Sequence, residues 1–77
     1  MKLFIDFSDN SKIILPDPTK SKVANFLRGR KDRHEVFVGS ARVHYKGEYE
    51  NKFDFSSKDD LENKLWPCIE RSMANEF

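Results

Sequence analysis

Cysteine is almost missing from this chain: Cys68 stands alone. A single thiol closes no intramolecular disulfide, so no covalent frame compensates for small size, and the cytosol, a reducing compartment, is the expected location. No apolar run approaches the roughly 20 residues of a membrane span. The opening Met1–Phe7 is interrupted by Asp6 too early to act as a secretory leader, and no membrane partner is expected. Glycine is scarce and scattered: Gly29, Gly39 and Gly47 are isolated from one another, which excludes a glycine-rich phosphate loop. His34, His44 and Cys68 are the only soft metal ligands, and they form no close pair of the kind a zinc site needs. No base flanks Cys68 to activate it as a nucleophile, so it reads as a packed thiol. The acidic run Asp54, Asp59, Asp60 and Glu62 surrounds a helix start, where capping and the helix dipole account for it better than a magnesium site does. These absences predict a chain that is not an enzyme and uses neither metal nor cofactor.

What is present is aromatic and charged. Seven of the ten aromatic residues are phenylalanine, which supports a packed core rather than disorder. With 77 residues the chain predicts one compact α+β domain, 1–77. A domain of that size buries only about 60–65% of the surface its unfolded form exposes, which favours a binding module over a deep active-site pocket. The net charge of +1 is unevenly spread: residues 1–46 carry +5 and residues 47–77 carry −4. The simplest expectation is that the two halves attract each other in the fold.

Hydrophobic periodicity gives the elements. Lys2 to Ser8 alternates, with Leu3, Ile5 and Phe7 on one face and Phe4 and Asp6 on the other. The turn cluster Ser8–Ser11 leads to a second strand at Lys12–Leu15. Asp17 is the expected N-cap and Pro18 the first residue of a helix reaching Arg28, with Val23, Phe26 and Leu27 as its apolar stripe and Gly29 ending it in the left-handed conformation. Met1 to Lys31 resembles the hairpin-then-helix opening of the β-grasp (ubiquitin-like) fold, a resemblance of pattern over about two fifths of the chain. Glu35–Tyr45 and Tyr49–Phe55 read as a second hairpin, with a bulge or bend at Gly39. A three-residue loop, Lys46–Glu48, places Phe37, Ala41, Val43, Tyr45, Tyr49, Phe53 and Phe55 on one face; a one-residue slip scatters them. Ser57 and Asp60 form a variant capping box for a last helix striped by Leu61, Leu65, Ile69 and Met73, with Trp66 on its flank. Pro67 is expected to kink that helix or split it in two. The order β-β-α-β-β-α predicts a two-layer sandwich: one mainly antiparallel sheet of about four strands, with both helices on one face.

Two surfaces stand out as candidate binding sites. The basic segment Arg28, Arg30, Lys31 and Arg33 is expected to lie on an exposed loop beyond the first helix, where it is suited to phosphates or to a partner's carboxylates. The uncovered sheet face is expected to show Phe4, Ile14, Val36 and Val38 beside Arg42 and His44, apolar side chains flanked by polar ones. The sequence therefore predicts a protein-interaction module or stoichiometric inhibitor, monomeric or homodimeric, that uses both surfaces. In size and style it is similar to phage-encoded proteins that block host defence enzymes. The alternative is a nucleic-acid-binding protein using residues 28–34, against which the near-neutral charge counts.

Overall fold

The computed structural model describes residues 1–76 and contains β1 (Lys2–Phe7), β2 (Lys12–Pro16), α1 (Lys20–Asp32), β3 (Gly39–Tyr45), β4 (Tyr49–Phe55) and α2 (Lys58–Glu76). The strands form one sheet in the order β2-β1-β3-β4, each antiparallel to its neighbour. β2 and β3 therefore run parallel to each other with β1 between them, and α1 is the crossover that joins them. The expected α+β order and antiparallel sheet are both present.

Alternation places Leu3, Ile5, Phe7, Ala41, Val43 and Phe55 on one face, where they form a single buried cluster with Val23 and Leu27 of α1 and with Leu61, Leu65, Cys68 and Ile69 of α2. Both helices thus cover one face of the sheet and leave the other open. The hairpin register is the expected one: Lys46–Glu48 forms the loop and Tyr45 pairs with Tyr49, Ala41 with Phe53 and Gly39 with Phe55. Lys46 and Gly47 both have positive φ, which the turn requires. Gly39 opens β3 rather than bulging in its middle. A Cβ there would lie 2.0 Å from the Asp6 carbonyl oxygen, so only glycine lets β3 approach β1 this closely.

Several local expectations are corrected. α1 is capped by Thr19, whose Oγ1 accepts from Lys22 N at 3.2 Å, and not by Asp17. The Asp17 N–H is already donated to the Met1 carbonyl, and its φ of 52° is not the extended conformation of an N-cap. The helix also continues through Gly29. It ends in a Schellman motif in which Glu35 N donates to Arg30 O and His34 N to Lys31 O, with His34 in the left-handed conformation expected of Gly29. Glu35–Val38 precede β3 as irregular chain, not as its first residues. α2 runs through Pro67 as one helix. Proline has no N–H, so the Asn63 carbonyl loses its helical donor. Ser57 Oγ accepts from Asp60 N, and the Asp60 carboxylate accepts in return from Ser56 N, the expected box displaced by one residue. Met73 is 45% exposed, and Ser72 takes its place on the buried face, bonded to Asn51 Nδ2 and to Cys68 O.

Candidate interaction surface

Register and alternation arrange the open face in three rows. Across β2-β1-β3-β4 they read Pro16, Lys2, His44, Glu50; then Ile14, Phe4, Arg42, Lys52; then Lys12, Asp6, Ser40, Asp54. Phe4 sits in the middle row on a central strand. The His44 ring centroid is 4.6 Å from that of Phe4, and the Arg42 guanidinium carbon is 4.9 Å from it on the other neighbouring position of β3. Arg42 also reaches Asp6 at 3.7 Å, and His44 Nε2 approaches Glu50 Oε2 to 2.9 Å without hydrogen-bond geometry. Ile14, beside Phe4 on β2, is 58% exposed and the most exposed large hydrophobic side chain among the described residues. Shallow hollows of about 530 and 300 Å³ flank Phe4, one edged by Ile14 and Arg42 and the other by Lys2 and His44.

The charges on this face alternate in sign. Lys2, Lys12, Arg42 and Lys52 stand among Asp6, Glu50 and Asp54, which leaves one net positive charge before His44 is counted. An apolar centre framed by charges of both signs matches the anatomy of protein–protein contacts. A phosphate backbone, by contrast, presents one sign only.

The basic segment is dismantled by the fold. Arg30, expected on an exposed loop, lies in the last turn of α1 and is 2% exposed. Its guanidinium carbon is 3.5 Å from the Phe7 ring centroid; Nη2 donates to Val36 O at 2.6 Å and meets Asp9 at 3.3 Å, and Nη1 meets Glu35 at 2.9 Å. Arg30 is a structural clamp, not a surface cation. Arg33 is exposed but bound to Glu35 at 2.6 Å, a contact that holds the Glu35 carboxyl below its ordinary range and raises the Arg33 pKa. Asp9 is also held low, first by the Ser11 side chain and backbone and then by Arg30. Arg28 bonds to Asn25, and Lys31 is exposed. All of these belong to the helical layer, whereas Phe4, Arg42 and His44 come together on the open face.

Val36 precedes β3, which begins at Gly39, and is half-buried against the core instead of lying on that face. Val38 is 41% exposed, and its carbonyl accepts from Ser8 N, which extends the β1–β3 pairing by one step beyond Ser40. Lys2, Asp6, Lys12, Glu50, Lys52 and Asp54 were not singled out from sequence as part of the surface, although their even-numbered positions in alternating strands carry that signal. Among the described residues there is no cluster of potential metal ligands, and no helix is long and apolar enough to cross a membrane. Cys68 is buried as expected; burial raises its thiol pKa, and its sulfur lies 3.9 Å from Asn51 O. No family model, curated protein or solved structure matches the chain.

Proposed function

We propose that the chain is a small non-enzymatic protein-interaction module or stoichiometric inhibitor whose partner docks on the open sheet face, centred on Phe4, Ile14, Arg42 and His44. The observation that carries this reading is the exposed Ile14 beside the half-buried Phe4 within a frame of mixed charge. Aromatic and arginine anchors ringed by polar residues are where binding energy concentrates in protein interfaces. The two hollows beside Phe4 give a partner's side chains places to enter.

The test is a photo-crosslinking residue placed at Ile14, with a control at Lys22 on the exposed surface of α1. A discrete adduct from position 14 in extracts of the native cell, lost on Phe4→Ser with Arg42→Ser, is expected. Equal labelling from both positions refutes the reading.

Nucleic-acid binding is the second reading, supported by the Phe4–His44 ring pair on the two central strands. It is the weaker one, because Arg42 and His44 already pack against Phe4, which limits its use as a stacking platform. Fluorescence anisotropy with labelled single-stranded RNA and DNA at low salt separates the two. Salt-sensitive binding lost in the Phe4→Ser, Arg42→Ser protein promotes the nucleic-acid reading; absence of binding removes it.

A further inference from the structure

The sheet has two outer edges, β2 and β4, and they differ in chemistry. On β2 two hydrogen bonds to β1 fix the direction of each backbone group: Phe7 N donates to Ser11 O at 2.9 Å, and Asp17 N to Met1 O at 2.9 Å. Both continue the β1–β2 register, so Ser11, Ile13, Leu15 and Asp17 turn their backbone groups toward β1. Lys12, Ile14 and Pro16 turn theirs outward, where among the described residues no strand lies and no turn or loop bond takes them up. Pro16 brings a carbonyl to that edge but no N–H.

Side chains make this edge apolar on both faces. Ile14 projects onto the open face and is 58% exposed, while Ile13 and Leu15 lie on the helical face, only partly buried against the core. Open strand edges are commonly guarded by charge. β4 is guarded in that way, with Glu50, Lys52 and Asp54 along it. Between Lys12 and Asp17, β2 carries no charge at all. An unguarded apolar edge is where another strand adds.

Self-complementarity identifies the occupant. Antiparallel pairing of β2 with a second copy, about a two-fold axis at Ile14, sets Ile14 against Ile14, Ile13 against Leu15 and Lys12 against Pro16. No like charges are opposed. The charged residue nearest to Lys12 along the facing strand is Asp17 of the second copy, of opposite sign; both residues are exposed and carry no ion pair among the described residues. The outward backbone groups also match. Ile14 exchanges both its bonds with Ile14 of the second copy, and Lys12 N–H donates to the Pro16 carbonyl at either end. Only the Lys12 carbonyl, opposite the donor that Pro16 lacks, stays with water. The same operation on β4 sets Lys52 against Lys52 and Glu50 against Asp54, like charges directly opposed. We infer that two copies of this chain associate through their β2 edges, which joins their sheets into one. On the open face the join extends Phe4 and Ile14 of each copy into a single apolar row and leaves that face uncovered.

The test is sedimentation equilibrium of the purified chain from micromolar to near-millimolar concentration. The mass is expected to rise from that of the monomer toward twice that value within this range, as suits a contact at the small end of protein interfaces. Amide hydrogen exchange by NMR is expected to slow at Lys12 and Ile14 as concentration rises. Ile14→Lys, at an exposed position, sets lysine against lysine across the two-fold axis. It is expected to weaken association about tenfold or more while the circular dichroism spectrum stays that of the wild type. A chain that remains monomeric throughout overturns the inference. So does a dimer whose Lys12 and Ile14 amides exchange as fast as in the monomer, because copies stacked through their open faces cover Phe4 and leave those amides in water. The open-face reading is judged separately, by its crosslink to a different protein in cell extracts.

Discussion

Replacing Arg30 with alanine is expected to cost about 3 kcal/mol, although the sequence alone presents Arg30 as one of several interchangeable surface cations. The magnitude follows from what the side chain touches. The Val36 carbonyl loses a charge-assisted donor at 2.6 Å, a loss of roughly 1.5–3 kcal/mol. The stack on Phe7 at 3.5 Å is worth about 1–2 kcal/mol when desolvated. Asp9 and Glu35 keep access to water and rehydrate, so their lost contacts add little. Against this, removing the charge relieves a buried Nε that has no hydrogen-bond partner, which brings the sum down to about 3 kcal/mol. A domain of this length has a total stability of about 4–11 kcal/mol, so the substitution removes a large part of it. With a urea dependence of ~1 kcal/mol per molar, the unfolding midpoint moves down by about 3 M. Arg30→Met keeps the apolar stem over Phe7 and is expected to lose only about half as much. Arg30→Ala within about 0.5 kcal/mol of wild type, the usual span of a neutral surface substitution, would refute the clamp.

Three further outcomes follow from the same geometry. Gly39→Ala forces a Cβ to within 2.0 Å of the Asp6 carbonyl oxygen and 2.9 Å of Phe7 Cα; urea unfolding is expected to show a loss of about 2 kcal/mol or more, and an unchanged midpoint refutes the close approach. Pro67→Ala returns a donor to the Asn63 carbonyl and is expected to stabilise α2 by about 1–3 kcal/mol, read as a higher Tm; a lower Tm would show that Pro67 contributes more by packing than it removes from the helix. Asp9, Glu35 and Asp60 all have folded pKa values below their ordinary ones, through Ser11, Arg33 and the Ser56 backbone respectively. Their contribution is present in full above the unfolded carboxylate range, near pH 4, and is lost as pH falls through the lower folded values. Tm is therefore expected to fall between about pH 4 and pH 2, and a flat profile there contradicts these three environments.

The strands were legible because a period of two is hard to disguise. Leu3, Ile5 and Phe7 declared one face, and the Lys46–Glu48 loop fixed the register of the second hairpin through the aromatic residues it had to keep together. The ends of α1 were not legible. Gly29 invited a stop, and glycine inside a helix costs about 1 kcal/mol relative to alanine, yet the extra turn is what brings Arg30 over Phe7 and within reach of Asp9 and Glu35. That return comes from residues 21 positions upstream and 5 downstream, which no local pattern contains. At the other end, the hairpin claimed the Asp17 N–H for Met1 and moved the cap to Thr19. The open face was largely legible: Phe4, Arg42 and His44 were placed correctly by alternation, whereas Val36 was misplaced because β3 starts at Gly39, after it, and its side chain packs on the core.

The charge asymmetry shows why a composition average hides sites. The expectation that the basic and acidic halves attract each other is not what the ion pairs do. Arg30, Arg33 and Arg42 meet Asp9, Glu35 and Asp6 within residues 1–46, while Lys58 and Lys64 meet Glu62 and Asp60 within residues 47–77. Of the pairs named, only His44–Glu50 joins the halves. The named pairs are therefore settled mostly within each half, through strand pairing and helix turns, and the net sign of a segment does not show which of its charges are engaged. The densest basic run in the sequence has Arg30 buried in the fold and Arg33 bound to Glu35.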